Sequence, residues 1–224
     1  MNLTRCDLTS VFGLFGECME VPLIYHGPLP SGATKSRKAR KDVKRIEFDM
    51  RREFHHQLIS HWRSHLNLER FAMQRTDRSF DVHDWNKDSP AWSAFTRGKF
   101  RFLPLVISAN NLKLVCQLDV ELHSRDELGA ILHNSGDLDN RIEILFDALT
   151  MPQDNQIPKS ETPQEGENPF LCLLQDDKLI TELSVKTLPL RTRRTPNEKE
   201  NYTELRVLAK VETGPRSVWQ LPPN

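Results

Sequence analysis

The chain has 224 residues, 38% hydrophobic and 28% charged, which suits one globular domain with elaborations and is enough to bury a core. Lysine plus arginine match aspartate plus glutamate at 31 each, which removes the simplest argument for nucleic-acid binding, a globally basic chain, but leaves room for a basic face offset by acidic sites. Four scattered cysteines (Cys6, Cys18, Cys116, Cys172) without a CxxC pair argue against a disulfide scaffold or a zinc site. No stretch approaches the ~18 apolar residues of a membrane span, and the first residues lack the pattern of a secretion signal. A reduced, cytoplasmic protein with no membrane partner is expected.

Residues 1–20 are weakly patterned and read as a peripheral N-terminal extension. Val21–Tyr25 is a short apolar run that meets a Gly/Pro/Ser turn region at 27–32, which predicts strand then loop. From about Lys35 to Leu68 the pattern is helical. Val43, Ile46, Met50, Phe54, Leu58, Trp62 and Leu66 fall three and four apart and make one apolar stripe. Residues 69–98 have no clean period and read as an irregular insertion. Two strands are expected near 99–108 and 112–123, joined by a tight turn at Asn110-Asn111, since asparagine tolerates positive φ.

A second helix is expected over about 138–149, burying Leu138, Ile142, Leu145, Phe146 and Leu149. The Pro-, Gln- and Glu-rich stretch 150–169 reads as a mobile loop within an insertion at 150–175. Strands return at 178–187 and 203–212, with a hairpin loop between them and a tail at 214–224. The order β-α-β-β-α-β-β, without regular alternation of parallel βα units, predicts an α+β layer fold. Its helices would pack on one mainly antiparallel or mixed sheet, in a single domain over 21–213.

Two acidic pairs stand at element ends. Asp137 and Asp139 open the second helix, where one aspartate would serve as a cap and complement the helix dipole. Asp176-Asp177 precedes a strand, and adjacent carboxylates repel unless something positive neutralises them. Together they make a shared site for a hard divalent cation.

The ordered set in GDLDNRIEILFDAL and QDDKLITELSVK (D-L-D-N, then D-A-L, then D-D before a strand) resembles the signature of the RusA-type Holliday junction resolvases, the crossover junction endodeoxyribonucleases. The resemblance implies a homodimeric, Mg²⁺-dependent endonuclease, with Mn²⁺ as a substitute, that cuts branched DNA in recombination or repair. It implies catalytic, metal-holding roles for Asp137, Asp139 and Asp177, with Asp176, Asp147 and Glu143 as further candidate ligands. Carboxylates of this kind hold the ion, which orients a water, lowers its pKa and stabilises charge on the attacked phosphate.

The family has a lysine four residues after its second aspartate, and this chain has Glu143 there, which reverses the charge. Asp139, Glu143 and Asp147 also line one helix face at i, i+4 spacing, where like charges repel. The alternative is therefore a catalytically impaired, resolvase-like DNA-binding or interaction module. Lys178, Arg141 or a residue of the basic segment is a candidate replacement cation.

For the DNA surface, residues 35–52 hold nine basic residues against three acidic ones. Lys35, Arg37, Lys38, Arg40, Lys41, Lys44 and Arg45 of this run, with Arg191, Arg193 and Arg194 in the last loop, are the expected phosphate contacts. They would position DNA without reading its sequence. Phe80, Trp85, Trp92 and Phe95 could stack bases, though such aromatics are more often core. His55, His56, His61 and His65 lie on the first helix without a third-ligand pattern, which argues against a zinc site.

Overall fold

The computed structural model describes residues 19–30, 37–64, 72–74, 80–82, 94–109, 112–125, 137–191 and 202–214. The fold is α+β: two helices, α1 (Arg37–Ser64) and α2 (Asp137–Leu149), lie with two mixed sheets and a small hairpin. The first strand shows how the sequence builds its layer. In β1 (Met19–Pro28) Met19, Val21, Leu23 and Tyr25 are buried while Glu20, Pro22, Ile24 and His26 are exposed. That period of two turns one face to α1 and the other to solvent.

The larger sheet places β10 (Tyr202–Thr213) between β1 and β7 (Leu112–Ser124), antiparallel to both. On its other side β7 pairs in parallel with β9 (Ile180–Pro189), with a bulge at the start of that ladder. The core runs through Leu118, Val120 and Leu122 of β7 and their cross-strand partners Ala209, Val207 and Leu205 of β10. The expected hairpin between the last two strands is therefore corrected. β9 and β10 flank β7 instead of pairing, and just past β9 Leu190 N–H donates to the Ser124 carbonyl at the end of β7 at 2.8 Å.

A second sheet holds β4 (Phe95–Arg97), β5 (Phe100–Val106) and β8 (Phe170–Leu174), with β5 and β8 parallel. The strand expected over 99–108 divides. Its main part joins this second sheet, and only the two-residue β6 (Ser108–Ala109) pairs with β7; the expected turn residues Asn110 and Asn111 lie outside the described residues. β8 (FLCLL) was hidden inside the expected loop region. All five of its residues are buried, so it carries no alternation, as is usual for a strand covered on both faces. Phe48, Phe100, Phe102 and Phe170 form a second cluster with Met151 and Cys172, and Phe95 packs against it as core. Strands β2 (Ala72–Gln74) and β3 (Phe80–Val82) form a separate hairpin, while Trp85 and Trp92 lie outside the described residues.

Two further expectations change. The buried face of α2 is Arg141, Ile144, Leu145, Ala148 and Leu149, with Leu138, Ile142 and Phe146 only half-buried at its margin. The segment read as a mobile loop is pinned to α1. Arg52 pairs with Glu161 at 3.0 Å and with the fully buried Glu167, Lys44 Nζ donates to the Asn155 carbonyl at 2.7 Å, and His55 bonds Gly166 O at 3.2 Å. Among the described residues no helix is long and apolar enough to cross a membrane.

Candidate functional site: the acidic seam between the two helices

The second acidic pair divides its labour. Asp176 Oδ1 accepts from the Lys178 backbone N–H at 3.0 Å and so caps the 3-10 turn Asp177–Leu179. That amide bond holds the Asp176 carboxyl below the usual range. Lys178 Nζ also pairs with it at 3.8 Å. Asp177 is exposed and lies on a shallow cavity of about 390 Å³ shared with Phe146 of α2 and Leu183 of β9.

Asp147, half-buried on α2, receives a hydrogen bond from Gln156 Nε2 at 3.1 Å. Burial pushes its carboxyl up, the charges of Glu143 and Asp177 add to this, and Arg51 opposes it. Facing it from α1 is Glu47, only 7% exposed. Burial first, then the Asp147 charge, push the Glu47 carboxyl up to about 7, against Arg51 and Lys44. Among the described residues this carboxylate accepts no hydrogen bond and has no ion pair.

Arg51 is the buried cation of the seam. Its guanidinium donates to the Asp147 carbonyl, and at 3.3 Å to the Thr150 carbonyl, closing the C-terminus of α2 where positive charge is favoured. It also lies over the Phe48 ring, 5.7 Å from the centroid.

The structure thus groups Asp177, Asp147 and Glu143 with a residue the sequence reading missed, Glu47. Asp139 is exposed in the first turn of the same helix, eight residues before Asp147 and so about 12 Å along the axis. The side chain of Asp137 lies outside the described residues. The Glu47 signal was present: positions 43, 47, 51, 54 and 58 follow helical spacing, and two charges, Glu47 and Arg51, interrupt that stripe.

The basic run is not one solvated face. Lys41 and Arg45 are exposed, Arg45 pairing with Asp49 at 3.9 Å, whereas Lys44, Arg51 and Arg52 are spent on packing. The side chains of Arg37, Lys38 and Arg40, and residues Lys35, Arg193 and Arg194 altogether, lie outside the described residues, and Arg191 is exposed just past β9. His55 is fully buried, its Nδ1 accepting from Leu171 N–H at 2.8 Å, and burial pushes it down to about 4. It is a structural histidine. His65 lies outside the described residues.

The donor chemistry fits a hard divalent cation: oxygen ligands only, in a patch where like charges raise one another. Among the described residues no three such groups stand close enough together to hold an ion. Magnesium commonly needs only one or two carboxylates, the remaining positions being water and substrate phosphate. No family model, curated protein or solved structure matches this chain.

Proposed function

We propose that this chain is a Mg²⁺-dependent endonuclease that cleaves phosphodiesters in branched DNA such as four-way junctions, acting as a homodimer in the cytoplasm. The observation that supports the reading is that Asp177 lies beside α2, the helix that the first acidic pair opens. Asp137 and Asp139 open α2, and Asp177 lies beside its second half, where its charge is felt at Asp147. Asp139 and Asp177, both exposed, would hold the ion together with Asp137, which completes the motif in the sequence. Bound there, Mg²⁺ supplies an activated water and charge stabilisation at the phosphate. The protein's own contribution is positional. Arg51 fixes the end of α2, Asp176 fixes the turn that presents Asp177, and the exposed Lys41, Arg45 and Arg191 would bind phosphates on either side. The buried Cys116 and Cys172, neither of them in a disulfide, suit a reducing compartment.

The test is nicking of a synthetic four-way junction by purified protein with Mg²⁺ or Mn²⁺. Asp139→Asn and Asp177→Asn are each expected to lower the rate at least about a hundredfold while leaving junction binding intact. Failure to cleave branched, flapped and single-stranded substrates would sink the proposal. One observation favours a second reading, a DNA-binding module without cleavage: Glu143 is exposed on α2 where a resolvase carries its lysine. That reading predicts junction binding that is indifferent to added metal.

A further inference from the structure

The two outer strands of the larger sheet are finished differently. On β1 the amide of Gln57 occupies the outward main chain of Ile24, accepting from its N–H at 2.8 Å and donating to its carbonyl at 2.6 Å. Among the described residues β9 has no such cover. It pairs with β7 on one side, and among the described residues no strand or side chain bonds its other edge. A ten-residue open edge is a template for a further strand. Leu183, 41% exposed, lies on it and is one of two exposed large hydrophobic residues among those described.

The sequence of this edge, ITELSVKTLP, is its own antiparallel complement about Ser184. Reversed against a second copy, Glu182 meets Lys186, Leu183 meets Val185, Thr181 meets Thr187 and Ile180 meets Leu188. The faces agree as well. Ser184 and Lys186 share the open side of the sheet with Asp119 and Glu121, so both Glu–Lys pairs fall in the polar layer. Val185 packs on the core side, so the second copy's Val185 would extend the apolar layer over Leu183. The bulge lies between Ile180 and Glu182, which leaves the two-fold centre inside the regular ladder.

The geometry points to a two-fold dimer formed by antiparallel β9–β9 pairing, in which Arg191 of the second copy is delivered beside Asp177. Within one chain these residues stand at opposite ends of β9, about 30 Å apart. Across the two-fold axis Arg191, just past the end of β9, comes to the end where the second copy's β9 begins, beside the 3-10 turn that carries Asp177. The second copy thereby supplies a cation at the acidic site. The inference deepens the nuclease reading, and rests on it only for the role of Asp177.

Sedimentation of the full chain over a concentration series is the first test. The wild type is expected to be a reversible dimer, and Glu182→Lys and Lys186→Glu each to weaken it by about tenfold, since each reversal places like charges opposite twice. The double reversal, Glu182→Lys with Lys186→Glu, restores the dimer. The second test is a chain carrying Asp177→Cys and Arg191→Cys, expected to give a covalent dimer on oxidation where wild type does not. A monomer, a dimer indifferent to both reversals, or failure to cross-link overturns the inference. A charge-sensitive, cross-linking dimer that cleaves no DNA keeps this interface and removes the nuclease. Cleavage by a monomer does the reverse.

Discussion

Glu47 and His55 sit two helical turns apart on α1 and titrate in opposite senses. Glu47 is raised from 4.5 to about 7, so the folded state holds its proton more tightly than the unfolded chain does. Stability from this group is fully present below pH 4.5 and is lost as pH rises to about 7. His55 is lowered from 6.5 to about 4, so its contribution is present above pH 6.5 and is lost as pH falls to about 4. Each shift corresponds to about 3 kcal/mol, and between pH 4.5 and 6.5 the two slopes nearly cancel. Glu47→Gln removes one of them. Urea unfolding of this variant should show a gain of up to about 3 kcal/mol over wild type at pH 8 and none at pH 4. It should also show a stability that falls steadily from pH 6.5 to 4, with His55 unopposed. Equal stability of variant and wild type at pH 8 would mean that Glu47 is not strained in the folded protein.

At the scale of elements, α1 organises the molecule by what its charged residues grip. Arg52 joins the helix to the 150–169 segment through Glu161 and the fully buried Glu167, and His55 accepts the Leu171 amide at the start of β8. Arg52→Ala leaves the Glu167 charge buried and unpaired, a loss of about 3 kcal/mol. Hydrogen exchange should quicken first in residues 161–171, with the β7–β10 ladder still protected. Uniform acceleration would place the clamp elsewhere. The same contacts explain what the sequence concealed. The start of α1 and the extent of α2 were legible from apolar spacing, while 65–68, with which the expected first helix ended and which include Leu66, lie outside the described residues. The segment between α2 and β9 was not legible, because its polar composition mimics a solvated loop while its carboxylates Glu161 and Glu167 are partners for Arg52, about a hundred residues earlier. β8 was lost for the opposite reason, since uniform burial erases periodicity. The site divides along the same line. Asp137, Asp139, Asp176 and Asp177 stood out as acidic pairs at element ends. Glu47 needed α1 to be packed on α2 before its carboxylate had anything to face.

For the whole molecule the decisive feature is the asymmetry of the sheet edges. β1 is blunted by the Gln57 amide, by Pro22, which has no N–H to offer, and by the exposed Glu20 and His26. Among the described residues β9 is left open, and its sequence is its own antiparallel complement about Ser184. A sheet with one open edge can pair once across a two-fold axis and is then finished, so assembly stops at two copies. Freeing the second edge changes this arithmetic. Gln57→Ala returns the Ile24 N–H and carbonyl to solvent and removes two hydrogen bonds from the α1–β1 contact, at a cost of about 1–2 kcal/mol. Dimers built through β9 would then carry an unblocked β1 at each end, and edge-to-edge contacts between dimers do not close. Light scattering on Gln57→Ala should therefore show species larger than a dimer that grow with concentration. Combining it with Glu182→Lys should return small assemblies, because the chain of contacts is cut at β9. A Gln57→Ala protein that stays dimeric at every concentration would mean that Pro22 and the flanking charges close β1 without the amide.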